Sequence, residues 1–312
     1  MAQGVRVVFG IPGTHNIPIY DALHGRRDIA HITPRHEQGA AYMADGYARA
    51  SGDVGVCITV TGPGGTNALS ALGQAYSDSS PVLLIQSQVE TSQVDRDREG
   101  FHELRDSLAV FRAVTQWNAR PTSVEAIPTT IREAFRRLRQ GRPRPVQIEI
   151  PRDVLAAEAE VAIAPPAAAE RRAAPDVTVA RVADVLAAAR RPLLYAGGGV
   201  ISSGATGELL ALAELLQAPV LTTLQGKGSI PDVHPLSLGD GWYRHVVGFE
   251  ALRDADLVFA IGTRFGPLST NNQTLKLAAP LVHLDVDETE IGKHYPADIG
   301  LAGTPRPSSR RC

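Results

Sequence analysis

The sequence has very few cysteines, no excess of charge of one sign and no long apolar run. Its two cysteines, Cys57 and Cys312, show no CxxC or metal-ligand spacing, so neither a disulfide framework nor a zinc site is predicted. The 31 Lys and Arg residues nearly balance 33 Asp and Glu residues, and a net charge of -2 gives no field that attracts nucleic acid or an anionic membrane. No signal-like leader and no apolar run of about 18 residues is present. These absences favour a reduced, cytoplasmic enzyme or binding protein.

The chain of 312 residues has the length of about two domains of roughly 150 residues each. Apolar, β-branched runs alternate with helical patterns in both halves, which indicates parallel sheets covered by helices. The predicted fold class is therefore α/β, with two doubly wound parallel-sheet domains. In the first half we predict strands at Val5–Phe9, Ile29–Thr33, Val54–Val60, Val82–Gln86 and Val146–Ile150, and helices at Ile17–His24, Glu37–Ala50, Asn67–Ser77 and Ser123–Gln140. In the second half we predict a helix at Val177–Arg190 and strands at Leu193–Ala196, Val220–Thr223, Leu257–Ile261 and Val282–Val286.

The segment Arg152–Asp176 is rich in Ala and Glu and then in Pro, with no strand signal and weak helical periodicity. We interpret residues 154–176 as a linker between a domain at 1–153 and a second domain at 177–303. Residues 304–312 are basic, contain proline and present no apolar face. We expect them to be a truncated or non-native tail.

Two glycine-rich turns follow predicted strands of the first domain. Gly10–His15 follows the first strand and Gly62–Asn67 follows the third, so both are expected at one edge of the sheet. Glycine permits positive φ and lets the backbone approach a planar ligand closely. Either turn alone is equally typical of a tight strand-to-helix connection. Neither matches GxxxxGK[ST], so nucleoside triphosphate chemistry is not indicated.

Glu37 lies between these turns in sequence, at the start of a predicted helix of small residues. Taken alone, it is also typical of an ordinary first-turn carboxylate that the helix dipole stabilises. The prediction that Glu37 is a functional residue therefore depends on the ordered combination of an acid with two glycine turns.

That combination is part of a longer series of motifs along nearly the whole chain. The motifs are Val8–Gly13, Arg35–Ala41, Ala44–Arg49, Gly62–Asn67, Gly141–Val146, Ile150–Val154, Gly197–Val200, Gly226–Gly228, His234–Leu236, Ala260–Phe265 and Asp285–Asp287. In this order they resemble the thiamine-diphosphate enzymes of the acetolactate synthase and 2-oxo acid decarboxylase family. The resemblance implies a pyrimidine-binding domain over residues 1–153 and a Rossmann-like middle domain over 177–303.

The resemblance also implies the cofactor and the chemistry. Family members use thiamine diphosphate to form or cleave carbon–carbon bonds next to the carbonyl of 2-oxo acids, through a C2 ylid of the cofactor. A glutamate in the position of Glu37 hydrogen-bonds a ring nitrogen of the aminopyrimidine and favours its imino tautomer. The implied cofactor-binding residues are Pro12, Gly13, Thr61, Gly62 and Asn67. The implied substrate-pocket residues are Thr14, His15, Phe101 and His102.

His102 departs from the family pattern, because acetolactate synthases carry Phe-Gln-Glu where this chain has Phe101-His102-Glu103. A histidine there can exchange a proton near neutral pH and so protonate an intermediate. It can equally be an ordinary surface-loop histidine. This departure from the family pattern weakens the expectation of acetolactate synthase activity more than the expectation that thiamine diphosphate is the cofactor.

FAD is a second cofactor that the resemblance allows, since some relatives hold it against the middle domain and others keep that domain empty. The residues implied for FAD are Arg142, Gly198, Gly199, Gly262 and Asp287. The spacing Gly197-x-Gly199 lacks the complete GxGxxG fingerprint, so the sequence leaves both states open.

No metal ligand is predicted within this chain. In the family, Mg2+ and the diphosphate are bound by a third domain, on a Gly-Asp-Gly turn followed about 30 residues later by asparagine. Gly239–Gly241 and Asn271–Asn272 imitate this pattern, but Pro235–Leu238 is predicted as a short loop rather than a long apolar strand. We interpret the match as coincidence and expect Mg2+ to act through a domain absent from this chain.

The resemblance finally implies partners. Relatives place the glutamate of one subunit against the diphosphate domain of another, so we expect at least a homodimer acting on a 2-oxo acid. The alternative is a non-catalytic fragment or binding module that retains a nucleotide or flavin site in the middle domain. Binding of thiamine diphosphate with Mg2+ distinguishes the two.

Overall fold

The computed structural model describes residues 2–167, 172–240 and 246–305. The chain divides into two compact units, Met1–Ala169 and Glu170–Cys312. Of the predicted tail, residues 306–312 lie outside the described residues, as do Gly241 and residues 168–171 of the predicted linker. Within the described ranges, no helix has the length and apolar character needed to cross a bilayer.

The first unit alternates strands and helices. Its strands are β1 (Val7–Gly10), β2 (Ala30–Ile32), β3 (Gly55–Thr59), β4 (Val82–Gln88), β5 (Trp117–Ala119) and β6 (Val146–Pro151). Its helices are α1 (Ile17–Leu23), α2 (Glu37–Ser51), α3 (Pro63–Asn67), α4 (Leu69–Asp78), α5 (Ser107–Arg112), α6 (Ala126–Arg139) and α7 (Arg152–Ala156).

The strands of this unit form one parallel sheet in the order β2-β1-β3-β4-β6-β5. The strand order reverses between β1 and β3, and the loops that leave this switch point open a crevice at the carboxyl edge. The two glycine turns follow these two strands. The prediction that they share one sheet edge is therefore confirmed.

Both faces of this sheet are covered. Val56 and Ile58 of β3 point into one core with Phe135 and Leu138 of α6. Cys57, between them, points into the opposite core, which also holds side chains of α2 and α4. Burial on both faces explains why these strands read as continuous apolar runs.

Helix α2 lies unusually close to the sheet because its buried face consists of small residues, including Ala40, Ala44 and Ala48. Gly55 of β3 lies directly beneath it, and a Cβ added there would overlap the carbonyl group of Ala44. The helix ends at Gly52, which has a φ of 75°. This packing fixes the height at which the first residue of α2 sits above the sheet edge.

The second unit has its own alternation. Its strands are β7 (Pro192–Ala196), β8 (Val220–Thr222), β9 (Ser237–Asp240), β10 (Leu257–Ile261), β11 (Leu281–Asp285) and β12 (Ile299–Ala302). Its helices are α8 (Asp176–Ala188), α9 (Gly198–Ser203), α10 (Thr206–Leu216) and α11 (Val246–Asp254), with 3-10 turns at Leu224–Gly226, Pro267–Ser269 and Glu288–Glu290.

These strands also form a parallel sheet, in the order β12-β11-β10-β7-β8-β9. This is the strand order of dinucleotide-binding folds, with the switch point between β7 and β10. The predicted fold class, α/β with two doubly wound parallel sheets, is confirmed.

The first residues of the segment interpreted as a linker, 154–156, belong to helix α7, because Val154 is buried and extends the first core beyond β6. Two local predictions were wrong. The predicted loop Pro235–Leu238 runs into strand β9, which pairs with β8 through Val220 and Ser237. The predicted helix Asn67–Ser77 is two helices, α3 and α4, of which α3 begins at Pro63.

Candidate active site

Glu37 is the first residue of α2, at the carboxyl edge of the first sheet. The preceding His36 caps the helix, since its Nδ1 accepts a hydrogen bond from the amide of Gln38 at 3.1 Å. The helix dipole favours a carboxylate in this first turn. The Glu37 side chain is half-buried, so the acid does not point freely into bulk water.

The Glu37 carboxylate is held by the second glycine turn. Its Oε2 accepts a hydrogen bond of 3.0 Å from Nδ2 of Asn67. Its Oε1 lies near Gly64, where an added Cβ would come within 3.6 Å of it. The structure therefore brings together Glu37, Asn67 and the turn before Asn67, as the sequence predicted.

The second turn requires glycine for steric reasons. Gly62 has a φ of 60°, and a Cβ added there would overlap the carbonyl oxygen of His102. A Cβ at Gly65 would overlap the amide of Gln86. Pro63 occupies the first position of α3, where its missing N–H costs no hydrogen bond. The result is a helix start with bare backbone beside Glu37.

Thr61, at the entrance of this turn, is fully buried. Its Oγ1 donates a hydrogen bond of 2.8 Å to Oε1 of Gln88. The Thr61 hydroxyl can therefore only accept a hydrogen bond from a ligand.

The first turn is stabilised by Asn16, which is fully buried. Its Oδ1 accepts from the amide of Gly13 at 2.7 Å, and its Nδ2 donates to the carbonyl of Ile11 at 3.2 Å. A Cβ at Gly10 would overlap the carbonyl of Ile58 on the neighbouring strand. This turn therefore also needs glycine where it leaves the sheet.

The two turns meet where a Cβ at Gly13 would lie 3.2 Å from the side chain of Val60. Pro12 and Thr14, on either side of Gly13, are exposed. Among the predicted residues of the first turn, Gly13 thus lies beside Val60, which precedes the second turn, whereas Pro12 and Thr14 lie at the rim.

His15, Phe101 and His102 form an aromatic cluster next to the second turn. The rings of Phe101 and His102 stack with centroids 3.9 Å apart, and the His15 ring lies 5.9 Å from Phe101 and 6.1 Å from His102. Phe101 is 65 % exposed and forms the outer wall of the cluster. The structure thus brings together three of the four predicted substrate-pocket residues and leaves Thr14 apart from their stack.

Each of the two histidines in this cluster has one buried ring nitrogen. Nδ1 of His15 and Nδ1 of His102 are buried without a hydrogen-bond partner in the described part of the chain. Burial lowers the pKa of His15, and the nearby charges of His102 and Arg152 lower it further. The neutral form of His15 is therefore favoured.

His102 has a φ of 67°, a left-handed conformation that non-glycine residues rarely adopt. It lies in a loop, as one interpretation of the sequence expected, but its ring packs on Phe101 and its carbonyl group lies against Gly62. Strained loop residues of this kind cluster at functional sites. Its role in proton transfer stays a prediction.

Sequence reasoning missed several residues that shape this edge. Asn16 had a detectable signal, because an Asn just before an apolar helix is typical of a helix cap. Gln86 had none beyond being a polar residue in an apolar strand; it is fully buried, and neither its Oε1 nor its Nε2 has a partner among the described residues. Tyr20 places its hydroxyl 3.5 Å from the carbonyl of Ile58, and burial, with smaller effects from Cys57 and Glu37, raises its pKa.

In the second unit, the predicted flavin glycines meet at the switch point. The amide of Gly199 donates to the carbonyl of Gly262 at 3.0 Å, and a Cβ at Gly199 would lie 2.6 Å from Cα of Gly262. Gly198 packs beside Gln225. The loops after β7 and β10 are thus joined backbone to backbone.

The other two predicted flavin residues have partners within the protein. Oδ1 of Asp287 accepts from the amide of Thr289 at 3.1 Å. Arg142 belongs to the first unit, where its Nε donates to Oγ of Ser79 at 2.8 Å. Among residues 2–167, 172–240 and 246–305, no three His, Cys, Asp or Glu side chains are grouped as metal ligands.

A lone carboxylate between two glycine turns, at the switch point of the first of two parallel sheets, defines a cofactor-binding α/β protein. The chain belongs to the thiamine pyrophosphate enzyme family. Residues 1–110 match the family's N-terminal thiamine pyrophosphate-binding domain, and residues 179–311 match its central domain. The resemblance inferred from the motifs is confirmed.

Curated relatives of this chain include acetolactate synthases. The chain is 41 % identical over 313 residues to a probable acetolactate synthase large subunit of Methanocaldococcus jannaschii, covering 97 % of this chain and 52 % of that protein. It is 37 % identical over 312 residues to the acetolactate synthase isozyme 3 large subunit of Escherichia coli, covering 97 % and 54 %. It is 42 % identical over 307 residues to a probable 2-ketoarginine decarboxylase of Pseudomonas aeruginosa, again covering 97 % and 54 %. The chain spans about half the length of the curated relatives it matches.

Proposed function

We propose that this chain is the pyrimidine-binding and middle portion of an enzyme that forms or cleaves carbon–carbon bonds next to the carbonyl of 2-oxo acids. One observation carries the proposal: the Glu37 carboxylate, fixed by Asn67, stands beside bare backbone at the carboxyl edge of the first sheet. The family match and the acetolactate synthase relatives support it.

The residues at this edge fit a planar heteroaromatic group. Gly13, Gly62 and Gly64 line the meeting point of the two turns, and a side chain at Gly62 or Gly64 would overlap its neighbours or press against them. We propose that Pro12, Gly13, Thr61, Gly62 and Asn67 hold the aminopyrimidine of thiamine diphosphate, with Glu37 as the acid that faces it.

Glu37 supplies a proton site in a fixed position. The hydrogen bond that Asn67 donates to Oε2 orients the carboxylate, which keeps the capacity to hydrogen-bond a ring nitrogen. The half-buried position beside Gly64 limits competition from water, which strengthens such a bond. Thiamine diphosphate, when bound, supplies a nucleophilic carbon and an electron sink for the 2-oxo group.

The aromatic cluster of His15, Phe101 and His102 is suited to the substrate side. Two imidazole rings and one exposed phenyl ring combine polar groups and an apolar wall in the same place. We propose that Thr14, at the rim, completes this pocket. A neutral His15 can accept a hydrogen bond from a substrate hydroxyl or donate one to a carboxylate.

The remaining parts of the enzyme are also proposals. We infer that Mg2+ and the diphosphate are bound by a further domain, since the relatives are about twice as long as the matched segment. A homo-oligomer, at least a dimer, would bring that domain to Glu37.

A second function is favoured by one observation, the meeting of Gly199 and Gly262 at the switch point of a dinucleotide-type sheet. A binding module that holds FAD or a nucleotide there, with Gly198, Asp287 and Arg142, is the alternative. Purified protein with a flavin absorbance band would support this site.

Calorimetric titration of thiamine diphosphate and Mg2+ into the enzyme that includes the diphosphate-binding domain tests the first proposal. We expect saturable binding, weakened about tenfold by Glu37→Ala because a charged hydrogen-bond partner is lost. The control Glu158→Ala removes an exposed carboxylate from the segment after α7 and should bind like the parent. Equal affinity of the parent enzyme and Glu37→Ala would contradict binding of the cofactor by Glu37.

The catalytic role of Glu37 is tested by Glu37→Gln in the enzyme that includes the diphosphate-binding domain. We expect an intact fold by circular dichroism and C2 proton exchange of the cofactor slowed by about 10²–10⁴-fold, the usual contribution of a positioned acid or base. An unchanged exchange rate would exclude the proposed role.

A further inference from the structure

The loop between β4 and α5 carries two residues of the proposed substrate pocket, Phe101 and His102. Its backbone is unusual, because four of its non-glycine residues have a positive φ: Asp95 (59°), Asp97 (52°), Glu99 (59°) and His102 (67°). Residues other than glycine adopt this conformation rarely and at an energetic cost. A loop that contains four of them needs an interaction that holds it in place.

The side chain of Glu103 provides that interaction. Its Oε1 accepts a hydrogen bond from the amide of Asp97 at 3.0 Å, and its Oε2 accepts from the amides of Arg98 at 3.1 Å and Gly100 at 2.8 Å. The amide of Glu103 in turn donates to the carbonyl of Gly100 at 2.8 Å. Amides that converge in this way form an anion-binding concavity, which is filled here by the chain's own carboxylate.

The charge of Glu103 strengthens this closure of the loop. The hydrogen bond from Gly100 lowers the pKa of Glu103, burial raises it to a smaller extent, and the bonds from Arg98 and Asp97 lower it further, so the pKa lies below its usual range. The carboxylate is therefore ionised at neutral pH. Hydrogen bonds to an ionised acceptor are roughly twice as strong as those between neutral groups.

The two ends of the loop are fixed by other residues. At its start, Asp95 forms an ion pair with Arg120, which follows β5. At its end, Asp106 accepts a hydrogen bond of 2.9 Å from the first turn of α5. Residues 96–103 lie between these anchors, so the conformation of this stretch depends on the hydrogen bonds to Glu103.

The aromatic stack begins directly before Glu103 in sequence. The rings of Phe101 and His102 stack on each other, and both lie within about 6 Å of the His15 ring. The carbonyl group of His102 lies against Gly62 of the second turn. A change in the loop therefore reaches the aromatic cluster and the cofactor turn together.

We propose that Glu103 is a positioning residue of the substrate pocket: by closing the loop on its own amides, it holds Phe101 and His102 against His15. This role rests on the proposed function of that aromatic cluster. Glu103 acts through the two residues that precede it, and the motifs assigned it no role.

NMR of the full chain with labelled histidine and phenylalanine measures the position of the rings. In Glu103→Ala we expect the contacts between the His15 and Phe101 rings to be lost. The pKa of His15 should then rise toward its ordinary value of about 6.5, because the rings that cover it move away. Circular dichroism should show that the fold is kept. Unchanged ring contacts in Glu103→Ala would overturn the proposal.

Two further variants serve as controls. Glu103→Gln keeps one neutral acceptor oxygen, so its ring signals should lie between those of the parent and Glu103→Ala. Glu99→Ala removes an exposed carboxylate from the same loop and should keep the parent's signals. If Glu99→Ala had the same effect as Glu103→Ala, the result would be due to the charge of the loop and would overturn the role of Glu103.

Kinetics with pyruvate, in the enzyme that includes the diphosphate-binding domain, distinguish this proposal from the proposed function. If the aromatic cluster binds substrate, Glu103→Ala should raise KM about tenfold, the effect of losing one hydrogen bond to a charged group, and should change kcat less. Lost ring contacts with unchanged KM and kcat would uphold the action of Glu103 on the loop and overturn the substrate role of the cluster.

Discussion

At the scale of single residues, the glycines of the second turn differ from other glycines of the same unit in what surrounds them. Gly62 has a positive φ and faces the carbonyl of His102, whereas Gly46 lies on the exposed face of α2 with open space around it. The two positions therefore respond to an added methyl group in opposite directions.

We predict that Gly62→Ala lowers the free energy of unfolding by about 2–4 kcal/mol, because it combines a strained φ with a backbone overlap. Gly46→Ala should raise it by about 0.5–1 kcal/mol, because alanine is the better helix former. Urea unfolding of both variants, followed by circular dichroism, measures the difference. Equal effects of the two substitutions would contradict the steric role of Gly62.

His283 makes the stability of the second unit sensitive to pH. Its Nε2 donates to the carbonyl of Thr263 at 2.7 Å, and its Nδ1 accepts from the amide of Gly292, so the neutral ring satisfies both contacts. Burial lowers the pKa of His283, although the Thr263 carbonyl and the charge of Glu290 act in the opposite direction. The unfolded chain therefore takes up the proton at a higher pH than the folded chain does.

We predict that this unit loses stability as the pH falls below about 6.5, the ordinary histidine pKa, and that the contribution of His283 is complete above that value. Urea midpoints at pH 7.5 and pH 5.5 should differ less in His283→Gln than in the parent, whereas exposed His24→Gln should keep the parent's difference. If the difference is the same in His283→Gln as in the parent, the assignment is wrong.

At the scale of elements, the edge of the first sheet is tied together by a buried ion pair. Glu149 of β6 is fully buried and accepts from Nε of Arg120 at 2.6 Å. The same guanidinium pairs with Asp95, whose side chain is 51 % exposed. One cation thus joins a buried and an exposed acid.

We predict that Glu149→Gln costs about 1.5–3 kcal/mol of unfolding free energy, because it removes a charge-assisted hydrogen bond to a buried carboxylate while Arg120 keeps Asp95 as a partner. Asp95→Asn, which breaks the exposed half of the same network, should cost less than about 1 kcal/mol. Chemical denaturation of both variants separates the two values. Similar costs would show that burial of Glu149 does not govern the pair.

The long strands could be predicted from the sequence, whereas the short strands β5 and β9 could not. Strands β4 and β6 are buried on both faces, so their apolar runs were visible. Strands β5 and β9 have three and four residues, all of them only half-buried. Segments this short show neither an apolar run nor an alternation of apolar and polar residues. Their place in the sheet depends on neighbours distant in sequence, as with Trp117 beside Val146.

The site shows the same division. Glu37 and the glycine turns were predicted from their order along the sequence, and Asn67 from the family that this order resembles. The positive φ of His102 and the buried amide of Gln86 were not, because both follow from contacts between loops that only the folded chain brings together.

At the scale of the whole molecule, the chain consists of two units, each with its own sheet and two cores. The segment at 157–167, which follows α7, has no regular structure and is mostly exposed. Such segments are preferred sites of proteolytic cleavage.

We predict that brief digestion with elastase, which cleaves after small residues, first cuts within residues 157–167 and releases two resistant fragments. Mass spectrometry identifies the cleavage site, and circular dichroism of the separated fragments should show that each keeps its structure. A first cut inside either sheet would contradict the division into separately stable units.

The contact between Gly55 and the carbonyl of Ala44 has a practical consequence for redesign. Because α2 rests on bare strand backbone, the distance of Glu37 from the sheet is set underneath the helix rather than at the site itself. A single methyl group at position 55 would push α2 away from the strand and so move the Glu37 carboxylate away from Asn67. Substitutions confined to the exposed residues around Glu37 would leave the distance between α2 and the sheet unchanged. Substitutions at position 55 would change that distance directly.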